Sequence, residues 1–102
     1  MKERQRLSLL GLAQRAGKIA SGEDLVIKAI QKRRARLVII AEDTSETTRK
    51  KIMDKCSYYQ VPVKMTGDRH TLGNAIGKPA RVAIAVLDEG FAKKLLTLFD
   101  AN

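Results

Sequence analysis

Stretches with apolar residues at helical spacing alternate along this chain with runs that are continuously apolar. Leu7, Leu10 and the leucines beside them recur at helical spacing and predict a first helix up to Ala16, and Gly17 is a natural stop for it. Continuous apolar, β-branched runs predict strands that are covered on both faces, and shorter mixed runs predict minor strands. The predicted strands or extended segments cover residues 18–21, 36–41, 61–66 and 81–87.

A second helix follows the first extended segment. Ser21 is expected to be its N-cap, with Asp24 three residues later in the position of a capping-box acid. The apolar spacing carries this helix to about Arg33. The residues expected on its inner face are Leu25, Val26, Ala29 and Ile30.

Three more helices are predicted in the second half of the chain. Asp43 or Ser45 caps the third helix, which reaches about Tyr59. Asp68 begins a small fourth helix, and Asp88 caps the last one. The residues expected to face the core are Ile52, Met53 and Cys56 in the third helix, and Phe91, Leu95, Leu98 and Phe99 in the last.

The alternation of helices and strands predicts the fold class. Strands that are apolar on both faces need helices on each side of the sheet. We therefore predict an α/β fold: a three-layer α/β/α sandwich with a central mixed sheet of about four strands. No linker, repeat or low-complexity segment interrupts the sequence, so residues 1–102 are expected to form a single domain.

Net charge points to a polyanionic partner. The chain has 20 Lys and Arg against 11 Asp and Glu, a formal charge of +9, and most of the excess lies in the first half. Such a field attracts nucleic acid first and an anionic membrane second. No apolar run approaches the length of a membrane span. With nucleic acid ahead of a membrane surface as the polyanion, no membrane partner is expected. A lone cysteine fits a reducing compartment, and we expect a cytoplasmic protein.

Catalytic and metal-binding motifs are missing from the sequence. His70 is the only histidine and has no nearby ligand partner for a metal. Cys56 falls in a predicted helix, where a small core residue is a better interpretation than a nucleophile. The paired acids lie at element ends, where capping explains them. We therefore expect no enzyme activity, no metal and no cofactor.

Three basic features are candidates for contact with phosphate. The turn at residues 17–24 opens a helix, and helix N-termini attract phosphate, although capping alone explains this turn better. The loop at residues 77–81 carries two basic residues between a helix end and a strand. Few aromatic residues are present, and the sequence shows no stacking surface for single strands. A basic patch, serving either as a docking surface or as a solvated helix end, comprises Lys32, Arg33, Arg34 and Arg36.

Five stretches in a fixed order resemble a known family. They are residues 16–30 (AGKIASGEDLVIKAI), 35–45 (ARLVIIAEDTS), 55–63 (KCSYYQVPV), 71–77 (TLGNAIG) and 81–86 (RVAIAV). Together they resemble the kink-turn-binding ribosomal proteins of the L-seven-Ae and L-thirty-e type, and most of all the small bacterial members. That family has an α/β/α sandwich and binds RNA kink-turns, in which tandem sheared G·A pairs flank a sharp bend.

The resemblance implies a set of RNA-binding residues. The family pattern G-T-N-E-x-x-K reads here as Gly22, Glu23, Asp24, Leu25 and, at its last position, Lys28. Asp24 replaces an asparagine and Leu25 replaces a glutamate, so the base contacts at these two positions differ from the usual ones. The remaining residues that the resemblance implies are Gly17 and Lys18 before the pattern, and Lys78, Pro79 and Ala80 in a loop that covers bulged nucleotides. Glu42 and Asp43 match a family A-E-D motif and are expected to be structural caps near the RNA.

The expected function is recognition of kink-turns in structured RNA, either ribosomal or regulatory, with the ribosome as one candidate partner. Two alternatives remain at this point. One is a general basic nucleic-acid binder without kink preference. The other is a protein-interaction module that uses the basic patch at residues 32–36 on an acidic partner.

Overall fold

The computed structural model describes residues 2–100. In this range five helices alternate with four strands. In chain order the elements are α1 (Lys2–Arg15), β1 (Ile19–Ser21), α2 (Glu23–Gln31), β2 (Leu37–Ile40), α3 (Glu46–Tyr59), β3 (Val63–Met65), α4 (Arg69–Ala75), β4 (Ala83–Val86) and α5 (Glu89–Asp100).

The four strands form one mixed sheet with the order β1-β4-β2-β3. β4 is antiparallel to both of its neighbours, and β2 and β3 are parallel. Because β2 and β4 lie at the centre, both of their faces need cover. This explains why the two long apolar runs of the sequence form the inner strands, while the shorter β1 and β3 form the outer ones.

Alternation along the inner strands produces two cores. Successive side chains of a strand point to opposite faces. Leu37 and Ile39 therefore pack with the buried residues of α1, α4 and α5. Val38 and Ile40 pack on the other face with α2 and α3. The predicted three-layer α/β/α sandwich with a mixed four-stranded sheet is confirmed.

The register separates the loops into two groups. Gly22 N–H donates to Ala83 O (3.0 Å) and Ala41 N–H donates to Val82 O (2.9 Å), so these loops share one end of the sheet. At the other end Leu87 N–H donates to Lys18 O (2.8 Å). We call the first group the near end, comprising residues 22, 41–45, 66–68 and 80–82. The second group is the far end, comprising residues 16–18, 32–36, 60–62 and 87–88.

The predicted cap of α2 is wrong. Ser21 pairs with Ile84 as the last residue of β1, so it belongs to the sheet. Gly22 is the N-cap, and no side chain caps this helix. The Ser21 hydroxyl instead accepts a hydrogen bond from Arg81 Nε (3.3 Å). The strand ladder therefore takes the residue that local sequence assigned to the helix.

The other predicted caps have clear outcomes. Of the two candidates for α3, Ser45 is the cap, and its hydroxyl accepts from Thr48 N–H (3.2 Å). Asp68 and Asp88 are confirmed as caps, since their carboxylates accept from the N–H groups three residues later (2.8 and 2.9 Å). Asp43 lies beside α4 instead and accepts from Arg69 N–H (2.9 Å).

Two of the residues expected to face the core are exposed. Met53 is 40% exposed and Leu25 is 56% exposed. Each directly neighbours a buried residue, Ile52 or Val26, and one step along a helix rotates the side chain by about 100°. The inner faces of α2 and α3 are therefore narrower than the apolar spacing suggested.

No helix within residues 2–100 has the length and apolar character needed to cross a bilayer. Over the same range, no three His, Cys, Asp or Glu side chains come together in an arrangement that could hold a metal ion.

Candidate nucleic-acid interface

A cleft of about 410 Å³ at the near end brings distant parts of the chain together. One wall is the turn from β1 into α2, and the other is the end of the loop between α4 and β4. We call it the near-end cleft. Of the residues implied by the family resemblance, Gly22, Glu23, Asp24, Leu25 and Ala80 line it.

Gly22 has a backbone conformation that only glycine adopts without strain. Its φ of 96° and ψ of 150° lie in a region that is closed to side chains with a Cβ. A Cβ added there would meet nothing within 4 Å, so the space in front of this residue is open. Because no side chain caps α2, its first N–H groups remain available at this opening. A phosphate or base edge can approach the backbone here.

Glu23 has a different environment from its neighbours. Its carboxylate accepts hydrogen bonds from the Thr48 hydroxyl (3.1 Å) and from Lys51 Nζ (3.2 Å). These contacts join α2 to α3 and offset a negative charge at the mouth of the cleft. Glu23 therefore positions the start of α2 against α3.

Asp24, Leu25 and Lys28 share one exposed face of α2. Residues three and four apart lie above one another on a helix, which places Lys28 one turn beyond Asp24 and Leu25. All three are exposed. Among the residues that the structure describes, Lys28 makes no ion pair. Within about one helical turn this face therefore presents the Asp24 carboxylate as an acceptor, the Leu25 side chain as an apolar contact and the Lys28 ammonium as a cation.

The loop after α4 is held by two glycines. Gly77 ends the helix with a φ of 70°, and the Gly77 and Lys78 N–H groups donate to Asn74 O (3.1 Å) and Gly73 O (2.8 Å). This is a Schellman closure. Lys78 and Pro79 are exposed beyond it. A second hollow of about 400 Å³, lined by His70, Thr71, Asn74, Lys78, Pro79 and Ala80, adjoins the near-end cleft through Ala80.

Gly73 is an important residue that sequence analysis missed. An added Cβ would lie 1.7 Å from Pro79 O and 3.0 Å from Lys78 O, so the loop backbone rests directly on this position of α4. A glycine inside a helical segment is a sequence signal for close backbone approach. What approached it could not be read from the sequence.

Two arginines of the cleft were not among the residues that the family resemblance implied, although Arg81 is one of the two basic residues in the candidate loop at residues 77–81. Arg81 Nε donates to Ser21 Oγ (3.3 Å), and Arg81 Nη1 donates to Ala80 O (2.9 Å), so this side chain joins the two walls. The Arg69 guanidinium donates to the Asp43 carboxylate (3.2 Å) and carbonyl (2.7 Å). Asp43 is thus a structural residue near the cleft, as expected, and it holds Arg69, the first residue of α4, whose N-cap is Asp68.

Gly17 and Lys18 lie at the far end. Gly17 closes α1 with a φ of 73°, and Lys18 N–H donates to Ala13 O (2.9 Å). The four-residue step from Lys18 to Gly22 spans about 13 Å at the rise of a strand. The structure does not bring these two residues to the near-end cleft. The exposed basic patch, Lys32, Arg33, Arg34 and Arg36, also lies at the far end, beyond the last residue of α2.

Cys56 has the properties of an inert core thiol. It is 1% exposed, and burial raises the pKa of the Cys56 thiol to about 11 from an ordinary value of 9.0.

We expect iodoacetamide to label the native protein slowly at about pH 8 and the denatured protein fast, since the thiolate is the nucleophile. As the pH rises, the Cys56 thiol ionises in the unfolded chain before it ionises in the native protein. The contribution of Cys56 to the free energy of unfolding is therefore complete below pH 9.0 and falls as the pH rises towards 11. Equal labelling rates for native and denatured protein would contradict this burial.

Comparisons with known proteins agree with this architecture. A model of the Ribosomal protein L7Ae/L30e/S12e/Gadd45 family matches residues 5–96. The RNA-binding protein YlxQ of Bacillus subtilis is 59% identical over 92 residues, which cover 90% of this chain and 92% of that protein. The RNA-binding protein YlxQ of Enterococcus faecium is 44% identical over 94 residues, covering 92% and 90%.

A solved structure gives the same result. A protein with unknown function from Bacillus halodurans superimposes with a TM-score of 0.90 at 52% identity, covering 93% of this chain and 96% of that one. The expected resemblance to small bacterial members of the family is therefore confirmed. The family model covers most of the chain, and the chain belongs to the Ribosomal protein L7Ae/L30e/S12e/Gadd45 family.

Proposed function

We propose that this protein binds RNA and that its near-end cleft recognises kink-turns. Membership of a ribosomal protein family and 59% identity to a protein named as RNA-binding support the RNA partner. The family's relatives are RNA-binding and ribosomal proteins, so the chain is not an enzyme. The observation that carries the kink-turn proposal is the meeting of the open start of α2 with the α4–β4 loop around one cleft.

In this proposal the start of α2 enters the RNA. The major groove of ordinary A-form RNA is too deep and narrow for a helix, whereas a kink widens it. Gly22 permits close backbone approach, and the uncapped N–H groups of α2 face crowded phosphates. The Asp24 carboxylate accepts from guanine N–H groups of the sheared pairs. Lys28 contacts a guanine edge or a phosphate, and Leu25 provides an apolar contact.

The α4–β4 loop acts on the other side of the bend. Pro79 and Ala80 pack against an extruded nucleotide, and Lys78 pairs with a phosphate. Because both walls contact RNA only when it is bent, the protein has a higher affinity for the kinked state and shifts the RNA towards it. We propose that residues 1–102 act as one domain in the cytoplasm, on a structured ribosomal or regulatory RNA, with the ribosome as a candidate partner.

Energy transfer across a bent RNA tests this proposal. A short duplex with a central kink-turn is labelled at both ends and titrated with protein in the absence of divalent ions. The matched control RNA has the sheared G·A pairs replaced by Watson–Crick pairs. We expect the ends to approach only in the intact kink-turn, with an affinity that falls steeply as salt rises. Equal binding to both RNAs without bending would favour a general basic binder, and no binding to either would favour a protein partner.

Lys28→Ala is expected to weaken kink-turn binding by about 1–3 kcal/mol if the ammonium contacts a guanine edge. A smaller loss that is equal for kink-turns of different sequence would indicate a phosphate contact. The matched control is Lys94→Ala, which removes an exposed lysine from α5 on the opposite face of the sheet. Equal effects of the two variants on the energy-transfer titration would remove Lys28 from the interface.

A further inference from the structure

An exposed aromatic group lies beside the basic patch at the far end. Tyr58 is 78% exposed at the end of α3. Its ring packs edge-on against Tyr59, with 4.9 Å between the ring centroids and an interplanar angle of 75°. The Arg33 guanidinium carbon lies 5.1 Å from the centroid of the Tyr59 ring. The fold thus brings two rings into edge-on contact and places a guanidinium over one of them, which the sequence pattern did not reveal.

The backbone at this group adopts unusual conformations. Within the described part of the chain, Arg33 and Gln60 are the only residues other than glycine with a positive φ, 58° and 60°. Arg33 follows the end of α2 at the place where Gly17 follows α1 and Gly77 follows α4, and all three are left-handed. Residues with a Cβ are disfavoured in this conformation, and such strain concentrates at functional sites. An arginine here provides what glycine lacks, a guanidinium over Tyr59.

A cleft of about 450 Å³ borders the same group. It lies between the turn after α2, the turn after α3 and the start of α5. Its charged lining is mainly basic, from Arg33, Arg36 and Lys93, with one carboxylate from Glu89. A second hollow of about 460 Å³ beside the rings is lined by Lys51, Asp54, Lys55, Tyr58 and Tyr59. The cations of this hollow are Lys55 and Lys51, of which Lys51 pairs with Glu23, and Asp54 adds one carboxylate, so the stronger positive charge lies on the side of Arg33, Arg36 and Lys93.

We propose that this far-end surface, defined as Tyr58, Tyr59, Arg33, Arg34, Arg36 and Lys93, binds single-stranded RNA. An unpaired base stacks on the free face of Tyr58, and the neighbouring phosphates contact the three arginines and Lys93. Aromatic rings beside a basic groove are the combination that binds single strands with little sequence preference. Bases in a duplex are already stacked and cannot reach a ring on a protein surface.

An acidic peptide would need only the cations. The exposed ring of Tyr58 and the planar guanidinium over Tyr59 have planar surfaces that match nucleobases. They therefore favour RNA over the acidic protein partner. The nine residues of α2 separate this surface from the near-end cleft by about 13 Å. One molecule can therefore hold a folded RNA at the near end and an unpaired segment at the far end. This proposal does not depend on the kink-turn proposal.

Binding of a labelled oligouridine of about 12 nucleotides to the full chain tests the proposal, with fluorescence anisotropy as the readout. We expect Tyr58→Ala to weaken binding by about five-fold or more and Tyr58→Phe to retain it, because stacking needs the ring and not the hydroxyl. Tyr58 is exposed, so neither change threatens the fold. Arg34→Gln should also weaken binding. Arg4→Gln, which removes an exposed charge from the start of α1, should have a smaller effect.

Two further measurements separate this surface from the near-end cleft. Kink-turn affinity of Tyr58→Ala should equal that of the unchanged protein, and oligouridine affinity should not change in Lys28→Ala. Equal oligouridine binding by Tyr58→Ala and the unchanged protein would overturn the proposal. So would a loss that follows Lys28→Ala in place of Tyr58→Ala. Competition by polyglutamate as strong as that by oligouridine, and insensitive to Tyr58→Ala, would instead identify an acidic protein surface and also overturn it.

Discussion

Replacing Gly73 by alanine is expected to displace the α4–β4 loop and to weaken kink-turn binding by about ten-fold or more, equivalent to ~1.4 kcal/mol. The new Cβ would lie 1.7 Å from Pro79 O and 2.6 Å from the Pro79 carbonyl carbon. Both are backbone atoms, so no side-chain rotation relieves the contact, and the loop must move. Overpacking of this kind costs typically about 1–3 kcal/mol of stability. Because Ala80 lines the near-end cleft, moving the loop opens one of its walls.

Gly11→Ala is the matched control for this change. It also adds one methyl group to a helical glycine, and its Cβ would lie 3.1 Å from Ala75 O on the neighbouring helix. Alanine gains about 1 kcal/mol of helix propensity over glycine, which offsets the closer contact. We expect near-native stability and unchanged RNA affinity for this variant. Thermal unfolding, the amide chemical shifts of residues 77, 78, 80 and 81, and the kink-turn titration compare the two. Native RNA affinity in Gly73→Ala, with the loop shifts changed, would remove the loop from the interface.

Gly22→Ala is expected to damage the start of α2. The φ of 96° and ψ of 150° form a conformation that costs an alanine about 1–3 kcal/mol, although the Cβ itself meets nothing. The change therefore lowers the free energy of unfolding or rotates the Gly22 peptide away from Ala83, to which its N–H donates. In either case the approach to the α2 N–H groups changes. We expect kink-turn affinity to fall by about ten-fold or more, equivalent to ~1.4 kcal/mol.

Gly17→Ala separates strain from the loss of contact. Gly17 also has a positive φ, 73°, and open space where a Cβ would be, but it lies at the far end. The strain of a left-handed alanine is about 1–2 kcal/mol. We expect a similar loss of stability in urea unfolding and an unchanged kink-turn affinity of the folded protein. Reduced affinity in Gly17→Ala would return Gly17 and Lys18 to the RNA interface, as the family resemblance implied. Unchanged affinity in Gly22→Ala would exclude close backbone approach at the start of α2.

Local sequence patterns determined most of the secondary structure of this protein. The runs at residues 36–41 and 81–87 are apolar on both faces, and only a central strand buries both faces, so β2 and β4 could be predicted. Gly17 and Gly77 end helices because their left-handed backbone is costly for other residues. Asp68 and Asp88 cap helices by bonds that span only three residues. In each case the physical cause lies within a few residues of its effect.

Only the tertiary structure decided which element or face a residue joins when its local sequence fits more than one. Ser21 has the chemistry of a cap, yet pairing with β4 retains it in the sheet and leaves Gly22 to begin the helix. Leu25 and Met53 fit the apolar spacing, but each helix presents only a narrow stripe to the core, which Val26 and Ile52 occupy. Hydrophobic spacing predicts a face but not its width, because the width depends on what packs against it.

The tertiary structure also decided where each of the two surfaces lies. Sequence alone, through its basic charge and family resemblance, indicated a nucleic-acid partner and the residues of α2 and the α4–β4 loop. It did not show that β1 pairs antiparallel with β4. This pairing places Lys18 at the far end and Ala80 beside Gly22. Nor did the sequence show that Tyr58 and Tyr59 meet Arg33. These contacts join residues far apart in the chain, and strand register and helix packing decide such distances, which no local pattern encodes.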